Sequence, residues 1–115
     1  MDMIAWDSND DGRFFINVRD TANSVYMSDR MVQIHDNYNI GLSPQVLNPG
    51  SGSDNVPFWW YGFPAIGIEE MYGEDWNDHY HLTSDTIDKF NMDYFYKISQ
   101  LVIGTTASLA EVSVN

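Results

Sequence analysis

Apolar residues along the chain switch between two spacings. Residues 1–6, Met1-Asp2-Met3-Ile4-Ala5-Trp6, and residues 14–18 are short apolar runs suited to β-strands. Between them Asp7-Ser8-Asn9-Asp10-Asp11-Gly12 is a dense cluster of turn formers, so the pair predicts a hairpin. Over about residues 21–38, Val25, Met31, Val32, Ile34 and Tyr38 fall at helical spacing, with Asp20 or Thr21 available as N-cap and residues 39–41 as the stop. Residues 44–47 predict a brief strand, and Asn48-Pro49-Gly50-Ser51-Gly52-Ser53 a loop. Asp54 then caps a short helix reaching Trp60. Phe63-Pro64-Ala65-Ile66-Gly67-Ile68 is a continuous apolar run ending at Glu69-Glu70, the pattern of a strand covered on both faces. The last element is an amphipathic helix capped near Asn91, with Phe95, Ile98, Val102, Leu109 and Val112 as its stripe and Thr105 filling a gap.

Strands alternating with helices predict an α/β layered sheet. Sites in such sheets form in loops beyond the carboxyl ends of strands. Asp2, in the first predicted strand, and the loop after Ile68 both suit that rule if their strands lie side by side. No internal repeat or low-complexity tract interrupts the pattern.

Composition narrows the function classes. With 115 residues, 43% hydrophobic and 15% aromatic, the chain has the material for one domain's core and is not globally disordered. Five basic residues against 17 acidic ones give a net charge of −12, which disfavours nucleic acid and anionic membrane surfaces and leaves cations as the charged partners. No apolar stretch approaches membrane-spanning length. The opening residues lack the basic start and apolar run of a signal peptide, and a strand beginning at Met1 without a polar lead-in reads as a chain that starts inside a larger fold. The absence of cysteine removes disulfides and thiolate metal sites, so His, Asp and Glu are the available ligands for a transition metal.

Those ligands concentrate in Asp75-Trp76-Asn77-Asp78-His79-Tyr80-His81-Leu82-Thr83-Ser84-Asp85-Thr86, which holds two of the chain's three histidines. A neutral imidazole is the commonest zinc ligand, oriented by a nearby carboxylate or carbonyl. Residues two apart point the same way in extended backbone but need not in a loop, so at most one of His79 and His81 reads as a ligand. His35, among polar neighbours on a helix, reads as a surface or half-buried residue without a role. Asp7-x-Asn9-x-Asp11-Gly12 matches the first half of an EF-hand loop, but Val18 stands where the bidentate acid belongs and the flanks read as strands. A solvated hairpin turn is the simpler reading, with a calcium-dependent binding domain through Asp7, Asn9 and Asp11 as the alternative. Glu69-Glu70 has the look of a base-plus-ligand pair, yet two acids at a strand end more often form a solvated approach to a loop. Trp59, Trp60 and Trp76 are open between core packing and the walls of an apolar substrate pocket.

Several of these pieces occur together in one known pattern. Asp2-Met3-Ile4, Ser53-Asp54 before Pro57-Phe58-Trp59, Gly62-Phe63-Pro64-Ala65, and Tyr80-His81-x-x-x-Asp85-Thr86 resemble, in order and spacing, the C-terminal half of the di-zinc metallopeptidases of the bacterial leucyl aminopeptidase and aminopeptidase Y type. The resemblance runs over essentially the whole chain. It implies part of a three-layer α/β/α sandwich with a mixed sheet, two zinc ions bridged by an aspartate and a water, a glutamate as general base, and a peptide substrate cleaved at its N-terminus. Members of the family are often secreted or periplasmic.

Within that pattern Asp2 matches the carboxylate that completes coordination of one zinc, and His81 the imidazole that completes the other. Asp85 matches the motif's trailing acid, which would cap the next turn and support the loop carrying His81. The family's first zinc-binding His, its bridging Asp and its Glu-Glu pair lie upstream of the position matching Asp2, and this sequence has none of them; Glu69-Glu70 comes too late in the order to substitute. Asn55 stands where a His commonly follows Ser-Asp, and residues 48–52 lack the tyrosine that some members place there. The resemblance therefore implies a partial domain, inactive alone, with an open sheet edge that favours self-association.

Overall fold

The structure is a computed structural model describing residues 1–110. Its centre is β1 (Arg13–Asn17), in which Phe14, Phe15, Ile16 and Asn17 are all buried. A strand with no exposed face must be central. Its neighbours are β2 (Ser43–Leu47), parallel, and β3 (Gly67–Glu70), antiparallel, giving a three-stranded mixed sheet in the order β2-β1-β3. The register sets Ile16 between Val46 and Ile68, and Asn17 between Leu47 and Gly67.

One face of the sheet carries the core. Phe14, Ile16 and Ile68 pack there with Met31 and Ile34 of α1 (Ser24–Tyr38), Leu42, and Tyr94, Ile98 and Leu101 of α3 (Met92–Leu109). The buried Tyr94 hydroxyl donates to the Arg13 carbonyl at 3.0 Å, so this polar atom of α3 is satisfied against the sheet. The opposite face, bearing Phe15, Asn17, Gly67 and Glu69, is crossed by loops: Tyr72 packs on Phe15 at 4.7 Å between ring centroids, and Gly50 N–H donates to Val18 O at 2.7 Å. α2 (Asn55–Trp60) lies beyond the Asn17 and Gly67 ends of the strands. This is the α/β class that the alternation of elements predicts, with the mixed sheet that the family resemblance implies.

Several elements differ from the sequence pattern. Residues 1–6 form no strand and no hairpin with β1. They run along the outer side of β3, where Asp2 N–H donates to Ile68 O at 2.9 Å and Glu70 N–H to Met3 O at 2.6 Å. Met3, at φ 50°, breaks the extended run after those bonds. β3 starts four residues later than the apolar run predicts and includes Glu69 and Glu70. Pro64 has no N–H for a ladder, and Phe63 is 60% exposed.

α1 starts at Ser24 behind Asn23, not at Asp20 or Thr21, and buries Ser24, Ser28, Met31 and Ile34 while Tyr38 is 71% exposed. It ends where expected, at Asn39 in the left-handed region. α3 is capped as predicted, Asn91 Oδ1 accepting from Tyr94 N at 3.1 Å. Its buried line is Tyr94, Ile98, Leu101 and Thr105, rotated from the predicted stripe; Val112 lies outside the described residues.

Candidate functional site

The site is built on the segment beside β3, and two buried carboxylates hold that segment. Glu70, 3% exposed, accepts through Oε2 from Ala5 N at 3.0 Å and Trp6 N at 2.8 Å. Asp75 accepts from Trp6 Nε1 at 3.1 Å, Ser8 N at 2.8 Å and the Ser8 hydroxyl. The Glu69-Glu70 pair is thus not solvated, because strand alternation buries Glu70 toward the segment and turns Glu69 to the other face. Burial pushes the Glu70 carboxyl above its usual range; the two N–H donors oppose this, and Asp85 and Asp75 add to it.

Asp2 stands exposed where this segment meets β3, in an open cleft shared with Asp54, Asn55, Gly67 and Glu69. Its carboxylate accepts no hydrogen bond among the described residues. Glu69 accepts from Asn17 Nδ2 at 2.9 Å. Burial raises its pKa first; the Asn17 bond lowers it, the Asp2 charge raises it again, and the Met1 α-ammonium opposes it.

His81 lies on the loop after β3, which folds back against the same N-terminal segment. His79 meets Trp6 edge-on at 5.7 Å and its Nδ1 bonds Ser84 Oγ at 3.0 Å, so it is engaged structurally. His81 is exposed, its backbone at φ 59°, its ring stacked on Tyr80 at 3.9 Å and 18°, and neither ring nitrogen is hydrogen-bonded among the described residues. A non-glycine residue in the left-handed region costs energy and turns its side chain out of the local run. Asp85 shares a second cleft with Met3, Trp6, Glu70 and Tyr80. The 3-10 turn that follows, Ile87–Lys89, has no side-chain cap.

As donors, Asp2 and His81 fit zinc: each presents an unengaged ligand atom of a type that zinc takes. They do not complete a site. Among the described residues no group of three or more His, Asp or Glu side chains converges on one point.

The tryptophans separate. Trp59 is 5% exposed, its Nε1 donating to Ala65 O at 2.9 Å beneath the Arg19 guanidinium; Trp60 is 74% exposed; Trp76 packs edge-on against Tyr80 at 5.1 Å. None of them lines the Asp2 cleft. In the acidic turn, Asp7 accepts from Asp11 N and Gly12 N, both at 3.2 Å, Asn9 Oδ1 from Asp11 N at 3.1 Å, and Asp11 Oδ1 from Arg13 N at 2.9 Å. The Asp7, Asn9 and Asp11 side chains thus bond the turn's own backbone, and no helix flanks it. Sequence reasoning missed Asn55, Gly67 and the anchoring of Glu70 and Asp75. The alternation of β3 would have separated Glu69 from Glu70 had its boundaries been known.

The chain resembles known proteins along this whole architecture. Two crystal structures of LapA from Legionella pneumophila, one described as the LapA aminopeptidase, superpose with TM-scores of 0.74 and 0.77 at 24% identity. They cover 96% and 97% of this chain, which spans only 30% and 31% of theirs. No curated protein sequence matches. The family model of peptidase family M28 matches residues 1–106, the stretch that carries Asp2, the Asp54 cleft and the His81 loop, and the chain belongs to that family.

Proposed function

We propose that the chain is the C-terminal portion of a zinc-dependent, aminopeptidase-type hydrolase that removes residues from peptide N-termini. In the complete domain Asp2 would close the coordination of one zinc and His81 that of the other. When bound, the metals supply Lewis acidity and an acidified water. The chain's own residues do the rest of the holding. Glu70 and Asp75 pin residues 5–8, which keeps Asp2 at the mouth of its cleft. The left-handed turn at His81 and its stacking on Tyr80 leave both ring nitrogens without a hydrogen bond among the described residues.

The observation that supports this reading most is the Asp2 carboxylate, unbonded, in a cleft at the carboxyl end of β1, where α/β sheets bind ligands. Because a catalytic zinc needs about three protein ligands, the 115 residues alone are expected to bind zinc weakly and to hydrolyse nothing.

Calorimetric titration of zinc and calcium, separately, into the full-length protein tests the reading, alongside release of the first residue from a peptide. We expect zinc binding that falls at least about tenfold in both Asp2→Ala and His81→Ala. Calcium binding abolished by Asp11→Ala, with no response to zinc, would replace it with the calcium-dependent binding module.

A further inference from the structure

We propose that the Asp2 cleft selects peptides whose first residue has a cationic side chain, lysine or arginine, and that Glu69 is the residue determining this choice. The inference rests on the aminopeptidase reading above and names the substrate class of that same site.

The cleft is acidic and has no basic side chain of its own. Asp2, Asp54 and Glu69 line it, and it opens to solvent. All five basic residues are engaged elsewhere. Arg13 pairs with Glu74 and Asp11, Lys89 with Asp88 and Lys97 with Asp93. Arg19 lies over Trp59 and bonds Gly50 O, and Arg30 bonds Ser108 and Gln33. Coordination would spend the charge of Asp2 on a metal, so Glu69 and Asp54 remain to attract a cation from outside. Glu69 is the better placed. Strand alternation sends it to the cleft face of β3, opposite Ile68, and Asn17 orients its carboxylate through one oxygen, leaving the other free.

A second, independent feature points to a ligand. Asn55 is 8% exposed and lines the same cleft, its amide lying against Gly52 and Gly67, where a Cβ at either would collide with it. Asn55 Oδ1 accepts from Ser53 N at 3.0 Å, but Nδ2 has no partner among the described residues. A buried donor without an acceptor is costly. A peptide's first residue brings both missing groups: a carbonyl acceptor for Asn55 and, when it is lysine or arginine, a cation for Glu69. A leucine side chain would instead leave the half-buried carboxylate unpaired and further desolvated.

The test is steady-state hydrolysis of lysyl-, arginyl- and leucyl-p-nitroanilide by the zinc-loaded full-length protein. We expect kcat/KM for lysine and arginine to exceed that for leucine by about 10-fold to 100-fold, the worth of one charge-assisted hydrogen bond. Glu69→Gln, which keeps an acceptor for Asn17, should bring that ratio toward one, mainly through KM. Glu69→Asp should restore part of it, which a merely structural role would not do. Preference for leucine, or a ratio unchanged in Glu69→Gln, overturns the inference and leaves the aminopeptidase reading standing. Failure to release any of the three amino acids overturns that reading and the inference with it.

Discussion

Glu70 acts through a single oxygen, and that oxygen anchors the segment that carries Asp2. Two consecutive backbone N–H groups, of Ala5 and Trp6, converge on Oε2, and Glu70's own N–H holds Met3. Glu70→Ala removes the acceptor and leaves the two donors to water or to nothing, a loss of about 1–3 kcal/mol for each group that stays buried. We expect a lower urea midpoint and faster amide exchange at Ala5 and Trp6, with Ile16 exchange changed only through global stability. Unchanged exchange at residues 5 and 6 would show that Asp75, through Trp6 and Ser8, holds the segment by itself. From the sequence, Glu69 and Glu70 are indistinguishable neighbours. Their separation depends on one residue of strand register, since a one-residue slip exchanges the two faces.

At the scale of elements, what the sequence made legible is what local chemistry decides. Asn91 caps α3, Asn39 ends α1 in the left-handed region, and a loop follows β2, each set by residues within a turn of the boundary. What it hid is what distant partners decide. Residues 1–6 have a strand's composition, but β3, more than 60 positions away, claims them as a flanking strip. Ser24 is buried in α1 because its hydroxyl donates to Thr21 O and accepts from Ala65 N, a partner invisible in a helical pattern. Spacing alone could not choose between His79 and His81, because the Trp6 and Ser84 contacts that engage His79 come from the fold.

That strip also makes the sheet asymmetric. It covers β3, whereas β2 has no strand on its outer side among the described residues, and Val46 there is 49% exposed. Pro44 blunts one position of that edge and leaves the others able to pair. Concentration-dependent self-association of the 115-residue chain is therefore expected in light scattering, reduced by Val46→Lys. A monomer at all concentrations would mean that the edge is closed.

The whole molecule carries its negative charge inward as well as outward. Beyond the net charge of −12, burial raises the carboxyl pKa of Asp7, Glu69 and Glu70 above the ordinary 3.8 and 4.5. A carboxyl with a raised folded-state pKa binds its proton more tightly when folded. Its stabilising contribution is therefore full below the unfolded value and is lost as pH rises through the folded one. Repulsion among the surface acids acts in the same direction. Asp88, held at about 2 by the Thr86 hydroxyl and Lys89, acts in the opposite sense, and only as pH falls below 3.8. The thermal midpoint, measured by calorimetry with a chelator present, should accordingly rise as pH is lowered from neutrality toward the ordinary glutamate value of 4.5. Salt separates the two causes, because screening weakens repulsion between exposed charges far more than the cost of a buried carboxylate. The rise should shrink but persist at high ionic strength, and Glu70→Gln should flatten what persists. A midpoint that falls over that interval would mean that water reaches Glu70 and Glu69 freely, and the cleft that they border would then be looser than this fold implies.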